Sequence, residues 1–409
     1  MNINPSYFDV AGFLLLALLP SFMHVVYAQD SRTPGFLIAA LMVSFVLMRY
    51  IKFIRVPVNW LVSIMLILMW ILLVAFSAGG VDYTSKQLLS LPAMIFSLFF
   101  AFLLAAWFEK CPPNRLYRLG SIACGIFFLI GWAGLLFKVS VFGYNSVSIF
   151  PFAEPAHFAR IAGPIYVVVF FLAPRKYKLI IFMNSALQSI LIQSLSLLLY
   201  TTIILLIVLQ LRWGWFTFSI IVAATILAAG LVKNPVYLEH FTSRLTLSRE
   251  SGNMTSLVML QGVESAKNSL VNTRGLGLGF QMLGTEDPNE ISLILDSILS
   301  QGGEMNRADG GFVAAKLIAE LGLAGVILAG FVFVQILKSF IWLRRYWRAC
   351  LRFKVNYSDY RLKLVVANSL IVTFFIEMFL RGGGYFSLTV VFFAFSLLYV
   401  RKSQVGLVG

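Results

Sequence analysis

Residues 233–311 begin with KNPVYLEHFTSRLTLSRE (233–250) and contain TRGLGLGFQMLG (273–284). This polar segment carries nine of the seventeen carboxylates of the 409-residue chain and lies between two apolar runs. It is the only long stretch that does not read as a membrane span. The apolar runs on either side of it therefore decide the fold.

The composition is typical of a chain embedded in lipid. Sixty per cent of the residues are hydrophobic and only 12% are charged. The apolar runs are continuous and about 18–25 residues long, the length that an α-helix needs to cross a bilayer. Backbone groups in hydrocarbon must bond within the protein, so continuous apolar runs form helices. The sequence predicts an all-α polytopic membrane protein and excludes a soluble one.

Twelve transmembrane helices are predicted from these runs. The split between the seventh and eighth depends on Gln188, Gln193 and Ser194, which interrupt one long apolar run. Without that split, the orientation of all later spans would change. The predicted spans are 8–28, 34–51, 57–78, 88–109, 119–138, 158–173, 179–193, 194–211, 215–232, 312–340, 364–380 and 384–400.

The basic residues set the orientation. With twelve spans, twenty of the thirty-two Lys and Arg residues fall on one side, which the positive-inside rule makes cytoplasmic. Both termini are then cytoplasmic, and the polar segment is extracytoplasmic. The predicted organisation is nine spans in 1–232, a periplasmic substrate-binding loop in 233–311 and three spans in 312–409.

The net charge of +15 does not indicate a nucleic-acid partner, because the basic residues lie in short clusters between apolar runs. Membrane lipids are the expected surroundings of such clusters. Cys111, Cys124 and Cys350 show no metal-ligand spacing, so no metal site and no structural disulfide are predicted. No cofactor is predicted either.

Two amphipathic helices are expected in the polar segment. One covers 254–273 and the other begins after Asn289, each with apolar residues at helical spacing. They could lie along the membrane face, or form a small packed cap over the spans. A solvated tether between spans is the other interpretation of the segment.

Arginines on the periplasmic side go against the trend of the other basic residues. The guanidinium fork matches two phosphate oxygens, so these arginines are candidates to bind a diphosphate. Ion pairing with nearby Glu239 or Glu250 is the ordinary alternative. The candidates are Arg160, Arg244, Arg249, Arg274, Arg307 and Arg381.

Two candidate catalytic residues lie in FAEPAHFAR (152–160), at the start of the sixth span. Glu154 precedes a proline, so it should be extended and lie just outside the helix. It could act as a general base, or simply stabilise the positive end of the helix dipole. His157 lies beside it, as a catalyst or as an interfacial side chain.

The glycine-alternating stretch could form a substrate loop. Gly275, Gly277 and Gly279 would let the backbone approach an anion and point N–H groups at it. Tight packing against a span is the alternative. The spacing does not match a dinucleotide-binding fingerprint, because no strand precedes it.

The segment NRADGGF (306–312) leads into the tenth predicted span and adds Asp309 as a third candidate catalytic residue. Lys316 and Glu320 follow one turn apart within the span. Ionisable groups in a span are costly and suggest function, although these two could pair with each other.

Four stretches together resemble the bacterial O-antigen polymerases, the Wzy family, in a group that includes the O-antigen ligases. They are FAEPAHFA (152–159), TRGLGLGFQMLG (273–284), DGGFVAAKLIAELGLAG (309–325) and RGGGYF (381–386). The motifs cover about sixty residues, whereas the topology resembles the family throughout.

The resemblance implies a C-type glycosyltransferase-like fold and a metal-independent transferase that acts on the periplasmic face of a bacterial inner membrane. Its substrates would be undecaprenyl-diphosphate-linked oligosaccharides, with a polysaccharide chain-length regulator as a further partner. The family's essential arginines would correspond to Arg244, Arg249 and Arg274, with Arg160 and Arg381 as additions. Its glutamate would correspond to Glu154.

One departure separates the polymerase from the ligase. The ligases carry a histidine shortly before a late Gly-x-x-Gly, whereas this chain has Asp309 near that place and no histidine after His240. This favours the polymerase. A ligase, a flippase or transporter of lipid-linked oligosaccharides, and a purely structural membrane protein remain as alternatives.

Overall fold

A computed structural model of the chain describes residues 7–27, 31–54, 56, 58–77, 81–137, 149–210, 249, 254–299, 307–352 and 359–405. Every regular element of these residues is helical, and Met48–Phe53 forms a short 3-10 helix. The α-helices are α1 (Tyr7–Val26), α2 (Thr33–Leu47), α3 (Val58–Ser77), α4 (Val81–Lys110), α5 (Pro113–Phe137), α6 (Pro155–Leu172), α7 (Arg175–Leu191), α8 (Leu195–Leu209), α9 (Met254–Asn272), α10 (Glu290–Leu299), α11 (Val313–Leu321), α12 (Leu323–Arg352), α13 (Asp359–Phe379) and α14 (Leu388–Val405).

The prediction of an all-α membrane protein is confirmed. Among the described residues, seven helices are long and apolar enough to cross a bilayer. The count of twelve spans stays a prediction, and the span at 215–232 lies outside the described residues. The seven are Phe8–Val26, Thr33–Phe53, Ser90–Lys110, Pro113–Phe137, Pro155–Leu172, Leu323–Leu351 and Arg361–Phe379.

The break predicted between the seventh and eighth spans is present. Gln193 adopts a left-handed conformation with φ of 56°. Ser194 then caps α8, because its hydroxyl oxygen accepts a hydrogen bond from the Leu197 N–H at 3.3 Å. The chain therefore forms two helices here and not one.

The prediction of a single helix over 312–340 is wrong. Gly322 has φ of 59° and ends α11, and α12 starts at the next residue. The C-terminal carbonyl of α11 is satisfied from another helix, since the Trp70 indole N–H donates to the Leu321 carbonyl oxygen at 3.0 Å. A positive-φ glycine that ends one helix and opens the next is a feature that hydrophobicity alone does not reveal.

Both helices predicted in the polar segment are present as α9 and α10. They pack together through Leu257, Ile291 and Leu295, and the Asn289 side chain caps α10 by accepting from the Ser292 N–H at 2.8 Å. On its other side α9 contacts α11, where the Ser269 hydroxyl donates to the Ala319 carbonyl oxygen at 2.5 Å. The described part of the polar segment is thus packed structure and not a solvated tether.

The two ends of the helix bundle carry different groups. At one end the Lys363 ammonium donates to the Glu109 carbonyl oxygen at 2.6 Å, and Glu109 also pairs with Lys402. At the opposite end lie Glu154 and Arg381, just before α6 and just beyond α13. Lys363 and Lys402 therefore lie at the end of the bundle away from the candidate site.

Candidate functional site

A cavity of about 880 Å³ opens at the end of the bundle that carries Glu154. Its polar wall is formed by the end of α1 and the connector to α2, the starts of α6 and α9, the residues before α11, and the turn after α13 with the start of α14. Its polar and charged lining consists of Ser21, His24, Ser31, Arg32, Thr33, Glu154, His157, Arg160, Thr255, Asp309, Arg381, Ser387 and Thr389. Five of the predicted site residues are therefore brought together here.

Arg160 is fixed at the floor of the cavity by a buried carboxylate. Its Nε donates to Glu377 Oε2 at 2.8 Å, and its second guanidinium nitrogen bonds to the other oxygen of the same carboxylate. Only 7% of the Arg160 side chain is exposed and none of the Glu377 side chain. This bidentate pair joins α6 to α13 and holds the guanidinium in one orientation.

The glycine turn after α13 makes room for this pair. The Gly383 N–H donates to Glu377 Oε1 at 3.1 Å, and a Cβ at Gly383 would collide with the Arg160 guanidinium. The adjacent Gly382 donates its N–H to the Gly311 carbonyl oxygen at 2.9 Å. These glycines bring RGGGYF against DGGF, so two of the family-like motifs are direct neighbours.

Glu154 is extended and lies just before α6, as its position before a proline predicts (φ −135°, ψ 152°). Its Oε2 accepts from Arg381 at 2.8 Å and lies 3.8 Å from His157 Nε2. About a third of each side chain of the Glu154–Arg381 pair is exposed to the cavity. Partial burial lowers the pKa of Arg381 from its usual value, and the charge of Glu154 opposes that change.

His157 is held between Glu154 and a second histidine that the sequence did not single out. The His24 ring on α1 lies 6.1 Å from the His157 ring, in an edge-on arrangement. The Nδ1 atom of His157 is buried and has no hydrogen-bond partner within the described part of the chain. The carboxylate and the two imidazoles form a row of groups that can accept or pass on a proton.

Asp309 is exposed at the rim of the cavity, and the turn before α11 positions it. Gly310 and Gly311 both have positive φ, at 65° and 70°. The Ala308 carbonyl oxygen accepts from the Lys316 ammonium at 2.6 Å, which ties this turn to α11. Asp309 Oδ1 lies 3.7 Å from the position that a Cβ on Gly384 would take, so this carboxylate is close to the turn after α13.

Lys316 and Glu320 do not line the cavity. They are buried on α11 with 3.8 Å between Lys316 Nζ and Glu320 Oε1, so the two suspect charges pair with each other. Glu320 Oε1 also accepts from the Leu283 N–H at 3.3 Å. The pair therefore connects α11 to the chain just after the glycine-alternating stretch.

The glycine-alternating stretch packs on α11 and does not face the cavity. The Gly279 N–H donates to the Glu320 carbonyl oxygen at 2.9 Å, and the Gly277 N–H donates to Thr273 Oγ1 at 2.8 Å. The Gly275 N–H donates to the Leu270 carbonyl oxygen at 2.8 Å. All three N–H groups are used in local hydrogen bonds, which favours the packing alternative, and a role of these glycines in substrate binding stays a prediction.

The arginines of the polar segment are not gathered with those of the cavity. Arg249 is exposed and bonds to Glu290 Oε2 at 2.6 Å, with Glu264 at 3.5 Å. Arg274 is exposed in a left-handed conformation, and neither residue lines the cavity. Arg307 donates to the Glu286 carbonyl oxygen. Arg244 lies outside the described residues.

Arg32 and His24 are the cavity residues that sequence reasoning missed. A signal for Arg32 was available, because it lies in the predicted periplasmic connector between the first two spans. The positive-inside argument that selected Arg160 and Arg381 applies equally to it. No comparable signal marks His24, which lies near the end of an apolar helix. Only the approach of α1 to α6 reveals it.

Comparison of the chain with protein-family models, with curated proteins and with solved structures finds no match. The geometry of the cavity therefore carries the functional argument.

Proposed function

We propose that this protein is an O-antigen polymerase of a bacterial inner membrane. It transfers a growing glycan from undecaprenyl diphosphate onto a repeat unit that is itself linked to undecaprenyl diphosphate. The observation that supports this best is the meeting of Glu154, His157, Asp309, Arg160 and Arg381 around one cavity at the end of the bundle. Acids, imidazoles and guanidinium groups at a membrane surface suit transfer from a lipid-linked diphosphate.

The proposed reaction is a displacement at the anomeric carbon of the donor glycan. An acceptor hydroxyl oxygen forms the new C–O bond, and the bond from the anomeric carbon to the diphosphate oxygen breaks. The diphosphate leaves with the bonding electron pair, and the hydroxyl proton passes to a carboxylate. Glu154 is the residue proposed to take that proton, because its carboxylate is partly open to the cavity and adjoins His157.

Arg160 and Arg381 are proposed to stabilise negative charge on the leaving diphosphate. The leaving diphosphate gains negative charge as its bond to the sugar breaks, and fixed donors in a partly dry site stabilise that charge. Arg160 is fixed by Glu377, so it needs little reorganisation during the reaction. Arg381 is close enough to Glu154 to hold the carboxylate in place while contributing positive charge.

A flippase or transporter is less well supported by the same residues. A transport path needs ionisable groups along the middle of the membrane. Within the described part of the chain, the fully buried charged side chains are Arg160, Lys316, Glu320 and Glu377. They lie in α6, in α11 and near the C-terminal end of α13, and all are close to the cavity end of the bundle.

The proposed function is tested by supplying purified protein in lipid nanodiscs with undecaprenyl-diphosphate-linked repeat units, alone and with lipid A core. We expect a ladder of longer glycans that stay on the diphosphate lipid. Transfer to lipid A core would instead identify a ligase. Absence of both products, with repeat units from several O-antigen structures, would refute the glycosyltransferase.

A further inference from the structure

Three arginine side chains line the cavity, but only two of them have a carboxylate partner among the residues that the structure describes. Arg160 pairs with Glu377, and Arg381 pairs with Glu154. The guanidinium of Arg32 forms no hydrogen bond or ion pair with any residue that the structure describes, although it lies in the cavity wall. It is the cavity arginine whose donors are open to a ligand.

Arg32 is also partly buried, which makes an unpaired charge costly. Burial, together with the charge of Arg160, lowers the pKa of Arg32 to about 9. The carboxylates of Asp309, Glu377 and Glu154 act in the opposite direction but do not offset that effect. The side chain is still a cation at neutral pH. A bound anion would therefore supply interactions that the described residues do not provide for Arg32.

The groups next to Arg32 also suit an anion. Ser31 and Thr33 line the cavity on either side of it. Ser31 Oγ accepts a hydrogen bond from the Thr33 N–H at 3.2 Å, so the serine hydroxyl can still donate its own proton. Helix α2 begins at Thr33, and the positive end of its dipole adds to the charge of the guanidinium.

We infer that Arg32 is the residue that receives the diphosphate of the leaving lipid carrier. The identity of the anion rests on the proposed function, whereas the open guanidinium does not. The planar fork of Arg32 can hold two phosphate oxygens, while Arg160 and Arg381, which line the same cavity, stay paired with carboxylates. As the C–O bond to the sugar breaks, Arg32 stabilises the charge that develops on the diphosphate.

With Arg32 in this role, Arg249 and Arg274 are not the primary contacts of the diphosphate. Arg249 is already bonded to Glu290, and Arg274 lies outside the cavity wall. Arg274 is a matched control for Arg32, since both are arginines beside helices that contribute to this end of the bundle. The two positions differ in whether they line the cavity.

The test uses the full chain in lipid nanodiscs, titrated with inorganic pyrophosphate. We expect Arg32→Gln to weaken binding by about tenfold or more, because a charge-assisted hydrogen bond is lost. The pyrophosphate affinity of Arg32→Lys should lie between those of Arg32→Gln and the unaltered protein, because lysine keeps the charge but cannot form two parallel hydrogen bonds. Arg274→Gln should stay within about twofold of the unaltered protein, as expected for an exposed charge. Thermal unfolding midpoints check that each variant is folded.

Three results would overturn the inference. The first is pyrophosphate binding by Arg32→Gln that equals that of the unaltered protein. The second is an equal loss in Arg274→Gln. The third is binding of glucuronate as tight as that of pyrophosphate and equally dependent on Arg32, since the site would then select a sugar carboxylate.

The outcome also separates this inference from the proposed function. Normal glycan elongation by Arg32→Gln would refute the role of Arg32 and leave the polymerase in place. Pyrophosphate binding through Arg32, in a protein that transfers no lipid-linked glycan, would refute the polymerase and support an anion site built on Arg32.

Discussion

The guanidinium of Arg160 on α6 and the carboxylate of Glu377 on α13 form a buried ion pair across 217 positions of sequence. Arg160 Nε lies 2.8 Å from Glu377 Oε2, and the Gly383 N–H donates to the same carboxylate. The pair joins two helices of the bundle directly beneath the cavity. The ion pair therefore both stabilises the fold and places a positive charge at the cavity, and experiments can separate these two effects.

Removal of one partner of this pair should destabilise the protein strongly. Glu377→Ala leaves the Arg160 cation buried and unpaired, and we expect a loss of about 3–5 kcal/mol in the free energy of unfolding. The double variant Arg160→Met, Glu377→Met should recover most of that loss, since two apolar side chains replace the charges. Unfolding in mixed detergent micelles measures both. Equal destabilisation of the single and double variants would contradict the assignment.

The double variant Arg160→Met, Glu377→Met should recover stability without recovering glycan elongation. The fold is restored, but the fixed cation beneath the cavity is gone, so glycan elongation should remain low. Elongation at the normal rate in the double variant would make the pair purely structural.

Glu154→Gln should abolish turnover with little effect on stability. Its pair with Arg381 is about one-third exposed, and such a pair contributes less than about 1 kcal/mol. Glu109→Gln is a matched control, because Glu109 forms a similarly exposed pair with Lys402 at the opposite end of the bundle. Steady-state kinetics should show a fall in kcat for Glu154→Gln and an unchanged KM. An equal effect of both variants on kcat would point to general disturbance of the fold.

Arg249→Ala should retain glycan elongation to within about threefold. Arg249 is exposed and bridges Glu264 and Glu290, and exposed pairs contribute little. Arg381→Gln, in the cavity, should lose elongation. Chain-length analysis on gels measures both variants in parallel. If Arg249→Ala abolishes elongation while Arg381→Gln does not, the active site does not lie in this cavity.

Gly277→Ala should destabilise the packing of the glycine-alternating stretch on α11. Gly277 has φ of 89°, and a Cβ there would collide with the Glu320 carbonyl oxygen. The expected cost is about 1–3 kcal/mol from backbone strain and overpacking. Gly330→Ala is the control, because it is exposed on α12 with no atom within 4 Å of an added Cβ. That change should stabilise the helix by about 0.5–1 kcal/mol.

Pyrophosphate binding should depend on pH through Arg32. Because the pKa of Arg32 in the free protein is about 9, the contribution of Arg32 to pyrophosphate affinity should be greatest below that pH and should fall as the pH rises above it. A bound anion favours the charged form, so binding above pH 9 requires uptake of a proton. Calorimetric titration from pH 7 to about 10.5 measures the change. Pyrophosphate itself titrates in this range, so the informative quantity is the difference from Arg32→Gln, which should vanish at high pH.

The helices near the site show what sequence reasoning could and could not find. The extended conformation of Glu154 followed from the proline after it, and α9 and α10 followed from apolar periodicity. The break at Gly322 could not be predicted from apolar periodicity, because the apolar run continues through it without interruption. Its cause is the contact with the Gly275 carbonyl oxygen, to which the Leu323 N–H donates at 2.8 Å.

The candidate site divides in the same way. Glu154, Arg160 and Arg381 were selected from residue type and from the side of the membrane that the topology predicts. The sequence could not show that Arg160 pairs with Glu377 and that Arg381 pairs with Glu154, because the partners are more than two hundred positions apart. Arg249 and Arg274 were selected by the same rule as Arg160, yet the fold places them outside the cavity.

The sequence by itself determined that this is a helical membrane protein with one long polar segment. It also predicted a set of arginines on the less basic side of the membrane. Those properties follow from local composition, because hydrocarbon forces each apolar run to satisfy its own backbone. Only the tertiary structure showed which cavity arginine has no ion-pair partner in the described part of the chain. Arg160 and Arg381 look no different from Arg32 in the sequence, and the carboxylates that occupy the first two come from distant helices. Charge pairing in a folded bundle depends on which helix ends meet, and the chain order does not encode that directly.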